Sequence, residues 1–206
     1  MELPEYMTGI LAVLLFTCFV KIATTLSIFR FAIGLKGLTF GLVMLALSLA
    51  LTLLVMSPQV EQSGGLNTLL ALKGPRDVKS IEETFLPFMA KHTDQRILGR
   101  IQKLSSRLSK EKASGGDVNK ELKSANKNLG VIVSAFLISE LSDAFKIGFI
   151  LLVPFVVIDL LVVNVLMALG IQQMSPLVVS LPLKILLFLA VDGWTLISER
   201  LIGAYI

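Results

Sequence analysis

The chain has 206 residues, of which 54% are apolar and 17% charged, and a formal net charge of +4. The apolar residues gather in long runs, which excludes an ordinary soluble domain and points to a polytopic membrane protein. The positive surplus lies in one polar segment with no interleaved aromatics, so it is not a nucleic-acid signature.

One cysteine, Cys18, sits in an apolar run without a disulfide partner or zinc spacing, and one histidine, His92, stands alone. Helix packing is expected for the first, and a surface or packing place for the second. No metal or other cofactor is expected.

The first apolar run goes from about Met7 to Phe29, enough to span a bilayer, since about 20 residues suffice. It follows an acidic Met1-Glu2-Leu3-Pro4-Glu5 and lacks a small-residue cleavage pattern, so it reads as a retained helix rather than a signal peptide. Lys21 interrupts it, with Thr17, Thr24, Thr25 and Ser27 nearby. Such a polar face suits a hydrogen-bonding seam between helices. Lys21 lies too deep to snorkel easily, which points to subunit assembly. Arg30 and Lys36, around Gly34 and Gly37, form a short basic loop expected on the cytoplasmic side. The second run, about Leu38 to Met56, is expected to stop at Ser57-Pro58.

Residues 58–130 are polar, with 13 Lys/Arg against 8 Asp/Glu. Two crossings from a cytoplasmic 30–37 loop place them in the periplasm. The segment is too long for its charge to decide its side, because the rule holds for loops of about 60 residues or fewer. It reads as folded and helical. Ser80 with Glu83 makes a capping box before Phe85, Phe88 and Met89, and Pro87 kinks or divides that run. Ile97, Ile101, Leu104 and Leu108 recur at helical spacing. Ser114-Gly115-Gly116 breaks the pattern, and Asp117 caps a helix that continues through Leu122, Ala125 and Leu129.

The third apolar run follows, with a soft spot at Gly130, and extends to about Leu169. It exceeds one simple span, so the helix either projects beyond the bilayer or bends, with Pro154 the expected bend point. A polar break, Gly170-Ile171-Gln172-Gln173-Met174-Ser175, precedes a fourth run from Pro176 to about Ile197, whose start Pro176 and Pro182 should make irregular. Glu140, Asp143, Lys146, Asp159, Lys184 and Asp192 lie in or beside these runs. A charge in a lipid-facing helix costs roughly 2.5–3.5 kcal/mol, so these residues should face protein or water. Asp143 and Lys146 are spaced to pair at i,i+3. Compensating pairs that let helices pack are favoured over a proton relay, because both signs are present and no histidine lies near. No phosphate loop, HExxH or GxSxG motif is present, and the chain is expected not to be an enzyme.

The order and spacing of several short words resemble the FliP/SctR (YscR) family, inner-membrane subunits of type III export systems. The densest stretch starts at Ser134: Ala135-Phe136, Ser139-Glu140-Leu141, Phe145-Lys146-Ile147-Gly148-Phe149, Pro154-Phe155, Ile158-Asp159-Leu160, Ser180-Leu181-Pro182-Leu183-Lys184, Leu187-Phe188 and Asp192-Gly193-Trp194. Met56-Ser57-Pro58, Phe88-Met89 with Thr93, and Ser27-Ile28-Phe29-Arg30 add support.

The resemblance implies an all-α membrane protein of about four long apolar helices forming hairpins, with a helical polar segment between helices two and three. The expected division is 1–57, 58–130 and 131–206, with a pore-side break at 170–176. It implies a channel-forming subunit of a bacterial inner-membrane protein export apparatus, multi-pass and homo-oligomeric. FliQ/SctS-like and FliR/SctT-like subunits, an SctV/FlhA-like gate component, the lipid bilayer and translocated unfolded proteins would be its partners, and nucleic acid would not. In the family these helices form a spiral partly above the bilayer plane, and charged residues hold protomers together. Lys21, Glu140, Asp143, Lys146, Asp159, Lys184 and Asp192 are the corresponding assembly candidates here.

In flagellar members the break resembles Gly-Met-Met-Met-x-Pro and forms a deformable methionine ring. Here Ile171, Gln172, Gln173 and Met174 stand there, so a constriction would be more polar. The short chain and lack of a cleavable signal favour the injectisome branch. The alternative is a small ion- or proton-coupled transporter using Lys21, Glu140, Asp159 and Lys184.

Overall fold

The computed structural model describes residues 18–35, 37–62, 86–112, 120–171 and 173–205. Every regular element among them is an α-helix: α1 (Phe19–Ile33), α2 (Leu38–Gln62), α3 (86–92), α4 (Gln95–Lys112), α5 (Lys120–Ala168), α6 (Pro176–Ala190) and α7 (Gly193–Gly203). Thr17, Lys36, the Ser80/Glu83 box, Phe85, the Ser114-Gly115-Gly116 break with Asp117, and Gln172 lie outside the described residues. Leu38–Pro58 and Gly130–Ala168 are each long and apolar enough to cross a membrane. α6 and α7 would make a third span if counted as one bent element.

The chain divides into two compact units. One comprises Met1–Val20 and Met56–Ser142, the other Lys21–Val55 and Asp143–Ile206. In the first, Phe88, Met89, Ala135 and Phe136 are buried. Phe88 meets Phe136 edge-on with ring centroids 6.2 Å apart and stacks at a tilt on His92 at 4.4 Å. His92 therefore has a packing place, with Nδ1 2.9 Å from the Phe88 carbonyl. Thr93 returns its hydroxyl to the Met89 carbonyl, 2.6 Å away. Asp94 then starts α4: its Oδ1 accepts the Arg96 N–H at 2.8 Å, and its own N–H donates to Ser139 Oγ at 3.0 Å. The expected stripe of α4 is present, with Ile97 and Ile101 half-buried and Leu104 and Leu108 exposed.

The second unit is organised by α1. Phe29 is fully buried and touches three rings: Phe155 at 5.9 Å, Phe188 at 4.8 Å and Trp194 at 5.9 Å. Phe188 and Trp194 meet edge-on at 5.1 Å. Such edge contacts add about 0.5–1.5 kcal/mol each beyond the area they bury. Close approaches rely on two glycines. A Cβ on Gly148 would stand 2.6 Å from Ile28 Cδ1, and one on Gly193 would fall inside the Phe188 ring. On α2, Met44, Ser48, Leu51 and Thr52 form a narrow buried stripe, and Ser48 and Thr52 bond back to the carbonyls four residues earlier.

α1 and α5 stop by the same device. Gly34 has φ +92°, its N–H reaches the Phe31 carbonyl at 3.0 Å, and the Leu35 N–H reaches Arg30 at 3.3 Å. Gly170 has φ +72°, its N–H reaches Met167 at 3.0 Å, and the Ile171 N–H reaches Leu166 at 3.0 Å. Each is a Schellman cap, in which a left-handed glycine lets two N–H groups fold back onto the last carbonyls.

Three expectations about irregularity fail. α2 runs past Ser57-Pro58 to Gln62, α5 is uninterrupted at Gly130, and α6 is regular from Pro176 through Pro182. A proline removes one N–H bond and crowds one carbonyl, which a long helix with many remaining bonds tolerates. The fourth run breaks instead at Val191–Asp192, where Asp192 takes φ 48°, and α6 and α7 meet at 64°. The long third run is one helix that continues through Pro154. Its 39-residue apolar part rises roughly 58 Å, about twice the hydrocarbon thickness of a bilayer.

Candidate functional site

Two charge clusters and one polar break hold the candidate residues. The first cluster centres on Lys184, whose side chain α6 carries into the interior with only 1% of the residue exposed. Its Nζ donates to Asp159 Oδ2 at 2.6 Å and to the Ala32 carbonyl at 2.9 Å. Ala32 lies in the last turn of α1, where carbonyls have no helical partner and the helix dipole favours a cation. Lys184 thus neutralises a carboxylate on α5 and caps α1 with one ammonium group. Asp159 is half-buried, so part of this carboxylate faces outward.

The second cluster joins α1 to α5. Lys21 is buried, with Nζ 3.8 Å from Asp143 Oδ2 and 4.6 Å from the centre of the Tyr205 ring. Asp143 Oδ1 accepts from Lys146 at 2.8 Å, the expected i,i+3 pair. Asp143 is therefore shared by two lysines. Beside it the Thr25 hydroxyl donates to the Ala144 carbonyl at 3.4 Å. Glu140 is buried at 1% and engaged, and it belongs to the first unit. Asp192 is exposed at the α6–α7 bend, where its left-handed backbone makes the turn.

The break between α5 and α6 leaves Ile171, Gln173 and Met174 exposed. Ser175 precedes Pro176, which occupies the first turn of α6. There the missing proline N–H costs nothing.

Sequence reasoning put Arg30 in a basic loop but did not anticipate what its side chain binds. Its Nε donates to the Leu35 carbonyl at 3.1 Å and its Nη2 to the Gly37 carbonyl at 2.7 Å. The guanidinium folds over the α1–α2 turn and lies close above Gly41, where a Cβ would meet Nη1 at 2.9 Å. Arg30, Gly34, Gly37 and Gly41 within twelve residues carried the signal. Among the described residues no group of three or more His, Cys, Asp or Glu comes together to hold a metal.

A family model described as the FliP family matches residues 7–201. The chain is 37% identical over 203 residues to the harpin secretion protein HrcR of Erwinia amylovora, covering 92% of this chain and 87% of that one. It is 35% identical over 203 residues to the surface presentation of antigens protein SpaP of Shigella flexneri, with the same coverage. It is 36% identical over 196 residues to the flagellar biosynthetic protein FliP of Bacillus subtilis, covering 93% and 84%. With a match across nearly its whole length and relatives from both harpin-secretion and flagellar systems, this chain belongs to the FliP family.

Proposed function

We propose that this protein is a channel-forming core subunit of a type III protein export apparatus in the bacterial inner membrane. Several copies would stand side by side with FliQ/SctS-like and FliR/SctT-like subunits and an SctV/FlhA-like component, around a path for unfolded substrate chains. Family membership over residues 7–201 carries this reading. Two features support it. The membrane-length helices are mostly uncovered by their own chain, with about a fifth of each apolar stretch buried. The break also presents Ile171, Gln173 and Met174 outward, not into a core.

In this reading the 30–37 turn faces the cytoplasm and residues 58–130 lie on the periplasmic side. Residues 171–174 form the constriction, with Gln172 among them. Thioether and amide side chains suit a gap that must reshape around a passing chain. The buried charges act structurally. Lys184 is closed on Asp159 and a backbone carbonyl, and Lys21 lies between Asp143 and Tyr205, an arrangement that compensates charge within helix contacts. No catalytic step is assigned to the chain.

The test places photo-crosslinking residues at Ile171, Gln173 and Met174 in cells exporting a substrate fused to a domain that cannot unfold. Adducts to the stalled substrate at these positions, and none at Phe31 on α1, are expected. Normal secretion in a deletion strain, or ion flux by the purified chain alone that Asp159→Asn abolishes, would replace this reading with a transporter.

A further inference from the structure

α4 carries two stripes that run side by side. Ile97, Ile101, Leu104 and Leu108 form the apolar one, at steps of four, three and four. Each is directly preceded by a cation: Arg96, Arg100, Lys103 and Arg107. One residue turns an α-helix by about 100°, so the basic stripe borders the apolar stripe along one edge. All four cations are exposed, and none is in an ion pair with another described residue. Ile97 and Ile101 are half-buried, but Leu104 and Leu108 further along are 53% and 62% exposed. Gln95, Gln102 and Ser106, on the side away from the apolar stripe, are uncharged. Between Gln95 and Lys112 stand six basic residues and one acidic residue, Glu111. That difference equals the whole surplus of residues 58–130, which hold 13 Lys/Arg against 8 Asp/Glu.

Three kinds of surroundings could meet such a helix. Water suits the cations but not the leucines beside them. An acidic polypeptide answers the cations only if its carboxylates match their positions. An anionic lipid surface answers both stripes without such matching. The apolar stripe sinks to the boundary between headgroups and acyl chains, and the long Lys and Arg side chains reach from its edge to the phosphates. The root of α4 favours the lipid. Asp94, which starts the helix, donates its N–H to Ser139 Oγ at 3.0 Å. Ser139 lies nine residues, about 13 Å, inside the apolar stretch of α5 that opens at Gly130. On the same turns of α5, Ile138 and Leu141 are exposed. α4 thus springs from a helix surface that is itself fit for lipid, and a bilayer boundary lies within reach of its leucines.

We infer that α4 is an interfacial helix that docks on an anionic phospholipid surface. Leu104 and Leu108 enter the lipid, and Arg96, Arg100, Lys103 and Arg107 meet the phosphates. The inference needs only that the chain is a membrane protein, and it stands or falls apart from the export reading.

The test reconstitutes the full chain, with Cys18→Ala, into vesicles of phosphatidylcholine alone or of equal parts phosphatidylcholine and phosphatidylglycerol. A nitroxide is attached at Leu104→Cys, Leu108→Cys or Ser106→Cys. Its collisions with oxygen, which concentrates in lipid, are compared with those of a water-soluble nickel chelate. In the mixed vesicles the oxygen-to-chelate ratio at 104 and 108 is expected to be at least about fivefold that at 106, and less than about twofold in phosphatidylcholine alone. The combined variant Arg96→Gln, Arg100→Gln, Lys103→Gln and Arg107→Gln should show the low ratio in the mixed vesicles too, with unchanged helicity by circular dichroism. So should the unsubstituted stripe in about 1 M salt, where the screening length falls to about 3 Å, and this measurement decides the matter if the variant misfolds. A ratio as high in phosphatidylcholine alone, or no difference between 104, 108 and 106 in the mixed vesicles, would overturn the inference. So would labels at 104 and 108 that leave water only when the chain is purified with its protein partners, which would assign the stripe to an acidic polypeptide.

Discussion

Replacing Lys184 by methionine tests whether the buried pair holds the second unit together. The ammonium donates to Asp159 at 2.6 Å and to the Ala32 carbonyl at 2.9 Å, and Lys184 is 1% exposed. Removing it forfeits a charge-assisted bond to the carbonyl, worth about 1.5–3 kcal/mol, and leaves Asp159 uncompensated. Stranding a buried charge costs about 3–5 kcal/mol, but the Asp159 side chain is 39% exposed, so only part of that applies. The expected loss is about 3 kcal/mol, or roughly 150-fold in the folding equilibrium. Removing both partners, Lys184→Met with Asp159→Leu, should recover most of it, because two apolar groups in contact strand no charge. The assay is denaturant titration in detergent micelles read by the lone tryptophan, Trp194, which lies against Phe29 and Phe188. A single variant within about 0.5 kcal/mol of the parent, or a double variant no more stable than the single, would refute the argument, since surface pairs lie in that range.

Gly148→Ala brings a methyl to 2.6 Å from Ile28 Cδ1 and should cost about 1–3 kcal/mol, measured by the same titration. Gly193→Ala drives a Cβ into the Phe188 ring and should cost at least as much, with a shift of Trp194 emission. Arg30→Lys keeps the charge but loses the fork that reaches two carbonyls. It should lower thermal stability in detergent by an amount equivalent to about 1–2 kcal/mol, and Arg30→Ala by more. Asp94→Ala removes the cap of α4 and should cost about 1 kcal/mol, read as loss of helicity by circular dichroism.

Local pattern in the sequence reports local structure well. The 97, 101, 104, 108 spacing marks α4, and the i,i+3 spacing marks the Asp143–Lys146 pair. The long third run is one helix. Partners far apart in sequence were not legible. Lys184 and Asp159 lie 25 residues apart and Lys184 and Ala32 lie 152 apart, so only the approach of three helices reveals that one ammonium serves both. The same holds for Lys21 against Asp143 and Tyr205. Proline misled because its local penalty is fixed while the helix around it is long. Pro58, Pro154 and Pro182 are each carried by neighbouring bonds, while Asp192, with no breaker's reputation, makes the bend. The interruption between the third and fourth runs was legible as well, because Gly170 and Pro176 are local signals.

The glycine stop at Gly170 and the proline start at Pro176 frame the stretch between them by backbone alone. Neither device depends on what side chains stand at Ile171, Gln173 or Met174. The side chains between them can therefore change in size and polarity while the two helices on either side go on arriving at the same place.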